Sequence, residues 1–172
     1  MKFSISDFEF KPCTDEDLQR ILELQEDAFL NIESSDILRR NDPEMLRECL
    51  QKPNFTIGAW HKGRLIAFSV LYFPTDDSER LALSLEGVDF EGLKDANYKL
   101  CIVDKNYRGN SLQYELGTRL LEYAAANDVK IVCSTASPKN KHSISNIEKM
   151  GFSHNRTLTK YGFSRALFYK FL

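Results

Sequence analysis

The chain has 172 residues, of which 42% are hydrophobic and 28% are charged, and its formal net charge is -2 at pH 7. This length and composition suit a single globular domain over residues 1–172 with a real hydrophobic core. The charge supplies no global basic field for nucleic acid or an anionic membrane, and the apolar stretch Leu65–Phe73 is too short to cross a bilayer. The N-terminus also lacks the apolar core of a signal peptide. We therefore predict a cytoplasmic monomer or homodimer without nucleic-acid or membrane partners.

The four cysteines are scattered along the chain and show no metal-ligand spacing. Cys101 and Cys133 lie within apolar, strand-like runs, whereas Cys13 and Cys49 lie in the first third of the chain. We expect four reduced, packed thiols and no metal site.

The first third of the chain predicts one strand and two helices. Phe3–Phe10 alternates like a strand, with Phe8 and Phe10 on one face. Thr14, followed by three acidic residues, caps a helix whose apolar positions recur as far as Phe29. After a loop, Asp42-Pro43 begins a short helix, which Pro53 closes.

An antiparallel pair of strands comes next. Phe55–Trp60 alternates, a turn follows at His61–Arg64, and Leu65–Phe73 returns as the partner strand. The stretch Glu79–Ala96 is the least regular part of the chain. Leu81, Leu83 and Leu85 alternate within it, and the remainder has the character of a loop.

The second half of the chain has the clearest pattern. It predicts a strand at Tyr98–Val103, a helix at Ser111–Asn127, a strand at Val129–Thr135, a helix at Ser143–Met150 and a closing hairpin of Arg156–Lys160 with Arg165–Phe171. The strand–helix–strand order implies parallel strands that pair or lie near each other. The total is about seven strands and four helices, a mixed central sheet in an α/β or α+β arrangement.

The junction before the long helix carries unusual residues for a short turn. Arg108, Gly109, Asn110 and Ser111 lie where the first-turn N–H groups have no partner within the helix and the helix dipole is positive. Such a helix start binds phosphate; Gly109 would let the backbone approach closely, Arg108 adds a charge, and the other two add small polar groups. A simple capped helix with a surface arginine is the alternative interpretation. The P-loop and dinucleotide-binding motifs are both absent.

A second motif lies about thirty residues further on. Asn140 opens a helix that closes with the sequence Glu148-Lys149-Met150-Gly151-Phe152. Together with the strand ending at Val103 and the Tyr107-Arg108-Gly109 loop entry, this pattern resembles the Gcn5-related N-acetyltransferase superfamily. The resemblance is specific over Tyr98–Phe152 and extends less specifically over the whole chain. It implies a single-domain acyl-CoA N-acyltransferase fold and acetyl-CoA as cosubstrate.

The resemblance also implies where the cosubstrate would bind. The strand is expected to splay from its neighbour at Cys101, Ile102 and Val103, so that the free backbone pairs with pantetheine amides and polarises the thioester carbonyl. The pyrophosphate would lie on the amides of the loop, with Asn140 as a further contact. The expected loop residues are Arg108, Gly109, Asn110, Ser111, Leu112 and Gln113.

Three positions depart from the family pattern. Ser111 and Gln113 replace customary glycines, and we expect Ser111 to keep its amide available if its φ stays in the helical region. Ile147 occupies the position at which a tyrosine commonly serves as general acid to the leaving thiol. The acid role is therefore open, with Tyr161, Tyr114 and His142 as candidates.

A protonated amine also needs a base, because an ordinary lysine-type amine has a pKa near 10.4. Glu86 is the first candidate because it precedes the strand expected to hold the thioester, in a region where the family often places its base. Glu33, in the loop after the first long helix, is the second, and either residue could instead be a solvated surface carboxylate.

Three functions remain open from the sequence. The first is acetyl transfer from acetyl-CoA to a primary amine of a small molecule or peptide. The second is an acyl-CoA-binding regulatory domain with little or no turnover, which the substitutions at Ser111 and Ile147 motivate. The third is a structural or nucleic-acid-binding domain. Arg165–Phe171 is also expected to offer an edge at which a second copy could pair.

Overall fold

The computed structural model describes all residues from 1 to 172. Its seven strands are β1 (Glu9–Pro12), β2 (Phe55–His61), β3 (Arg64–Tyr72), β4 (Asp95–Val103), β5 (Ile131–Ala136), β6 (Ser153–Lys160) and β7 (Phe163–Phe171). Its four α-helices are α1 (Leu18–Leu30), α2 (Pro43–Cys49), α3 (Leu112–Ala126) and α4 (Lys141–Lys149). The predicted numbers of strands and helices are confirmed.

All seven strands form one mixed sheet in the order β1-β2-β3-β4-β5-β7-β6. Every neighbouring pair is antiparallel except β4 and β5, which are parallel and joined through α3. The parallel relationship expected from the strand–helix–strand order is confirmed. It places the N-terminus of α3 beside the carboxyl ends of both strands.

Helices cover both faces of the sheet, which explains why β3 is apolar almost throughout. The apolar stripe of α3, including Leu116 and Leu120, packs against one face in the largest core cluster. Ile21 and Leu24 of α1 join α2 in a second cluster on the other face. A strand buried on both faces has no solvent side, so its sequence loses the alternation of polar and apolar residues.

The N-terminal segment differs from its predicted strand. Residues Ile5–Asp7 form a 3-10 helix, and strand pairing begins only at Glu9. Ser4 and Asp7 form a capping box, in which each side chain accepts a hydrogen bond from the other residue's backbone. These local hydrogen bonds compete with the sheet ladder and shorten the strand.

Two further expectations are wrong in detail. Leu81–Ser84 forms a 3-10 helix, not an extended alternation, because Leu81 and Ala82 both pack against the sheet beside Ile131 and Leu167. Strand β7 is not an edge, since it pairs with β5 on one side and β6 on the other. The edge strands are β1 and β6.

The four thiols are free, and three of them are fully buried. Burial raises the pKa of Cys49, Cys101 and Cys133 to about 12. No helix is both long enough and apolar enough to span a bilayer.

Candidate active site

The central feature of the site is the separation of β4 from β5. Only three residue pairs join the two strands, and the last of them is Asn97 with Cys133. From Tyr98 onward β4 has no strand partner on that side, although Ser134 Oγ donates a hydrogen bond to the Tyr98 carbonyl at 2.9 Å. The predicted splay is therefore present, and it begins three residues earlier than Cys101–Val103.

A bulge in β4 lies within the separated stretch. Val70 of β3 pairs with Leu100 and Leu71 pairs with Tyr98, so Lys99 has no partner across the ladder. Lys99 lies 4.8 Å from the ring of Tyr72, and Leu100 belongs to the same core cluster as that ring. The bulge therefore turns two successive side chains towards the α1–α2 face.

The loop between β4 and α3 has two residues in the left-handed region. Gly109 has φ of +80° and Ser111 has φ of +60°. Ser111 therefore does not meet the condition of a φ in the right-handed helical region that was attached to the availability of its amide. A Cβ atom added at Gly109 would meet nothing within 4 Å, so crowding does not explain the glycine. The positive φ is the feature that favours glycine at this position.

Asn110 has a structural role in this loop. Its Oδ1 accepts a hydrogen bond from the Phe3 N–H at 2.7 Å, and its Nδ2 donates to the carbonyls of Met1 and Tyr107 at 3.2 and 2.9 Å. The side chain is buried and therefore holds the loop against the N-terminal segment. Any contact of Asn110 with a phosphate would come from its backbone.

The start of α4 lies next to the start of α3. Asn140 Oδ1 accepts a hydrogen bond from the Ser143 N–H at 3.1 Å, which caps α4 and leaves Asn140 Nδ2 without a protein partner. Gln113 Nε2 donates to Ser143 Oγ at 3.2 Å and connects the two helix starts.

These elements enclose one cleft with a volume of about 670 Å³. Nine of the ten predicted cosubstrate residues line it: Cys101, Ile102, Val103, Arg108, Gly109, Ser111, Leu112, Gln113 and Asn140. Asn110 is the exception, because its side chain faces the N-terminal segment. The structure thus brings the strand and both helix starts together around one space.

Glu86, the first candidate base, does not line this cleft. Its carboxylate is exposed and pairs with Arg156 at 3.2 Å, and its backbone is held by Asn155 of the edge strand β6. The expectation that Glu86 would face the thioester therefore lacks structural support, since the loop carries it to the outer side of β6.

Only some of the other catalytic candidates line the cleft. Glu33, Tyr161 and His142 line the cleft, whereas Tyr114 does not. Ile147, at the customary tyrosine position, also borders the cleft and is only 1% exposed within the main core cluster. The side chain at this position thus contributes to packing.

The sequence analysis missed a cluster of charges at the end of the cleft opposite the α3 start. Arg39 forms a two-point ion pair with Glu79 at 3.2 and 3.3 Å and stacks on the ring of Tyr161 at 3.7 Å. Lys99 lies 3.8 Å from the same carboxylate, and Arg165 is 3% exposed on β7. The available sequence signal for this cluster was the presence of Lys99 and Arg165 near the starts of two apolar predicted strands.

Burial and the neighbouring charges shift the pKa values in this cluster. Burial and then repulsion from Arg39 lower the pKa of Lys99. Burial opposes ionisation of Glu79, but the hydrogen bonds from Arg39 and the charge of Lys99 keep the pKa of this carboxyl below its ordinary value. Burial and the Glu79 charge raise the pKa of Tyr161.

Three buried polar atoms in the lining residues have no hydrogen-bond partner. They are Asn41 Oδ1, Asn97 Oδ1 and the hydroxyl of Tyr98. An unpaired buried group of this kind costs about 1–3 kcal/mol.

A mixed seven-stranded sheet that divides between two parallel strands, with a helix start at the division, defines an acyl-CoA N-acyltransferase fold. The acetyltransferase (GNAT) family matches residues 18–152, and the chain belongs to that family. No curated protein matches the chain.

Several solved structures share the fold. Ribosomal-protein-alanine N-acetyltransferase from Brucella melitensis has 19% identity and a TM-score of 0.73, over 95% of this chain and 99% of that protein. NAA60 from Arabidopsis thaliana in complex with acetyl-CoA also has 19% identity and a TM-score of 0.73, over 96% and 98% of the two chains. An N-acetyltransferase from Staphylococcus aureus Mu50 has 18% identity and a TM-score of 0.72, over 95% and 98%.

Proposed function

We propose that the protein transfers an acetyl group from acetyl-CoA to a primary amine of a small molecule or peptide. The observation that carries this proposal is the continuity of the cleft, in which the open side of β4 leads directly to the unpaired amides at the start of α3. Relatives of the same fold include named N-acetyltransferases and a complex with acetyl-CoA, in line with this activity.

The start of α3 would hold the pyrophosphate. The amides of Ser111, Leu112 and Gln113 precede Glu115, whose N–H is the first donor within the helix, so they have no helical partner. The helix dipole also favours an anion at this end. Arg108 is exposed and forms no ion pair within the protein, so its charge is available to a phosphate. Asn140 Nδ2 is the matching free donor at the start of α4.

The open side of β4 would hold the pantetheine arm. Amides of that arm can pair with unpaired backbone groups between Tyr98 and Val103, as an added strand would. A backbone N–H in this stretch would polarise the thioester carbonyl and stabilise the oxyanion formed on attack.

In the transfer itself the amine nitrogen bonds to the acetyl carbon, and the carbon–sulfur bond breaks. The ammonium must first lose a proton, and Glu33 is the carboxylate that lines the cleft without an ion pair. Coenzyme A leaves as a thiolate, whose ordinary thiol pKa is near 8.5, so departure does not require an acid at Ile147.

Calorimetry with acetyl-CoA, followed by a thiol-release assay over a panel of amines, tests this proposal. We expect binding, release above the rate without amine, and a lower kcat with unchanged acetyl-CoA affinity in Glu33→Gln. Binding without release for every amine would favour the regulatory domain. Absence of acetyl-CoA binding would overturn both functions.

A further inference from the structure

Arg165 is a buried cation that forms no ion pair with an acidic side chain. Its residue is 3% exposed, and no carboxylate oxygen lies within 4.0 Å of its guanidinium. One nitrogen, Nη1, donates to the backbone carbonyls of Asp36 and Ser164. The other two nitrogens, Nε and Nη2, form no hydrogen bond to the protein, yet Arg165 lines the cleft.

Such an arrangement is costly without a ligand. Burial lowers the pKa of Arg165, the charges of Asp36 and Tyr161 act against this, and the Arg39 charge acts in the same direction as burial. A buried charge is normally paired, because an unpaired charge that is removed from water is strongly destabilising. A guanidinium with one side bound to carbonyls and the other side free presents a fork that matches a carboxylate.

The charges around Arg165 add to this preference. Arg39 and Lys99 share the single carboxylate of Glu79. The Asp36 carboxylate is paired with Lys139 at 2.9 Å and acts on Arg165 only from beyond ion-pair distance. Glu33 lines the cleft but is exposed, so it is not part of the buried wall. Lys160 is bound elsewhere, because it donates a hydrogen bond to the Ser78 carbonyl. The buried wall therefore carries more positive than negative charge.

The position of Arg165 separates it from the expected phosphate site. It lies near the start of β7, opposite Leu158 of β6, whereas the phosphate loop lies at the start of α3. Its carbonyl contact at Asp36 also places it beside the loop that contains Glu33. One end of this region thus offers a cation and the other offers a carboxylate.

From these contacts we infer that Arg165 binds a carboxylate of the acceptor, so that the substrate is an amine that also carries a carboxylate, such as an amino acid. This inference rests on the proposed acetyl transfer. The two free nitrogens of Arg165 receive the carboxylate oxygens, and the ammonium group of the same molecule lies towards Glu33 and the bulge in β4.

A comparison of amino acids with their own carboxamides in the thiol-release assay tests this inference. Each pair keeps the amine and the side chain and changes only the charged group. We expect kcat/KM for the best acid to exceed that for its amide at least tenfold, because the amide cannot form the charge-assisted hydrogen bonds that the carboxylate forms with a guanidinium. Equal use of acids and amides would overturn the inference and leave acetyl transfer intact.

Substitutions of Arg165 test whether this residue causes the preference for acids. Arg165→Gln should lose the preference for acids, Arg165→Lys should retain part of it, and acetyl-CoA affinity should stay unchanged in both. Arg156→Gln, in the same hairpin but outside the cleft, is the control and should keep the full preference. A preference that survives in folded Arg165→Gln, judged by thermal melting, would also overturn the assignment.

If the protein shows no turnover with any amine, the role of Arg165 is tested by ligand binding. Calorimetry of the acetyl-CoA-free protein with N-acetyl amino acids and with their amides should still favour the acids. No preference for the acids would contradict the role of Arg165, whereas failure of acetyl-CoA itself to bind would contradict the proposed function.

Discussion

Asn110 Oδ1 accepts a hydrogen bond from the backbone N–H of Phe3 at 2.7 Å, although the two residues are 107 positions apart in the chain. The same side chain donates through Nδ2 to backbone carbonyls in both segments. One buried amide thus joins the loop before α3 to the N-terminal segment and fixes the start of that helix.

Replacement of Asn110 should loosen this loop. Asn110→Ala leaves the Phe3 N–H and the Met1 carbonyl without partners, so we expect a loss of about 1–3 kcal/mol in the free energy of unfolding. Acetyl-CoA affinity should fall as well, because the loop amides would no longer be held in place. Urea unfolding and calorimetry measure the two effects. Asn106→Ala, an exposed change in the same loop, is the control and should alter neither.

Ser111→Gly should stabilise the protein. A residue with a Cβ at φ of +60° carries local strain of about 1–2 kcal/mol, which glycine relieves at the cost of greater freedom in the unfolded chain. We expect a net gain of about 1 kcal/mol in urea unfolding, given these two opposing terms. Ser111→Ala removes the hydroxyl and keeps the strain, so it should show no gain. A less stable glycine variant would show that the serine hydroxyl matters more than the strain.

Arg108→Glu should weaken acetyl-CoA binding without unfolding the protein. The change replaces a cation with an anion at the expected phosphate site, and we expect at least a tenfold rise in Kd by calorimetry. The difference from the wild type should shrink at high salt because ions screen exposed charges. Lys105→Glu makes the same charge change nearby but outside the cleft, and a similar loss in that variant would indicate a general effect of net charge.

Glu79 should contribute to the dependence of stability on pH. Its pKa in the folded protein lies below the ordinary value of 4.5, so the unfolded chain binds more protons between these two values. The stabilisation is therefore fully present above about pH 4.5 and is lost as the pH falls through the folded pKa. Urea unfolding from pH 3 to 6 should show a shallower pH dependence in Glu79→Gln than in the wild type. Parallel curves would contradict this assignment.

The sequence predicted the elements whose signals are local. The stripe containing Leu116 and Leu120 identifies α3, and Gly151 after α4 marks its end, because helix periodicity and caps depend on neighbouring residues. The family motif also led to ten predicted cosubstrate residues, nine of which line one cleft. Even the short 3-10 helix near the N-terminus had a readable signal, since Ser4 and Asp7 have the spacing of a capping box.

The charge cluster could not be read in this way. Glu79 meets Arg39 forty positions earlier and Lys99 twenty positions later, and only the folded sheet brings them together. For Glu86 the sequence predicted a proximity that the structure does not show. Its position in the chain before β4 suggested that it lies near the thioester, but its loop runs to β6. The sequence marks Lys99 and Arg165 as unusual, but neither the pairing of the charges nor the course of the Glu86 loop has a local sequence signal.

The separation of β4 from β5 divides the sheet into a four-stranded half and a three-stranded half, hinged at three residue pairs. Lys99 belongs to the first half and Arg165 to the second, so the acceptor end of the cleft draws on both. A ligand bound in the cleft would contact both halves at once, so occupancy of the cleft should oppose their separation at these three residue pairs.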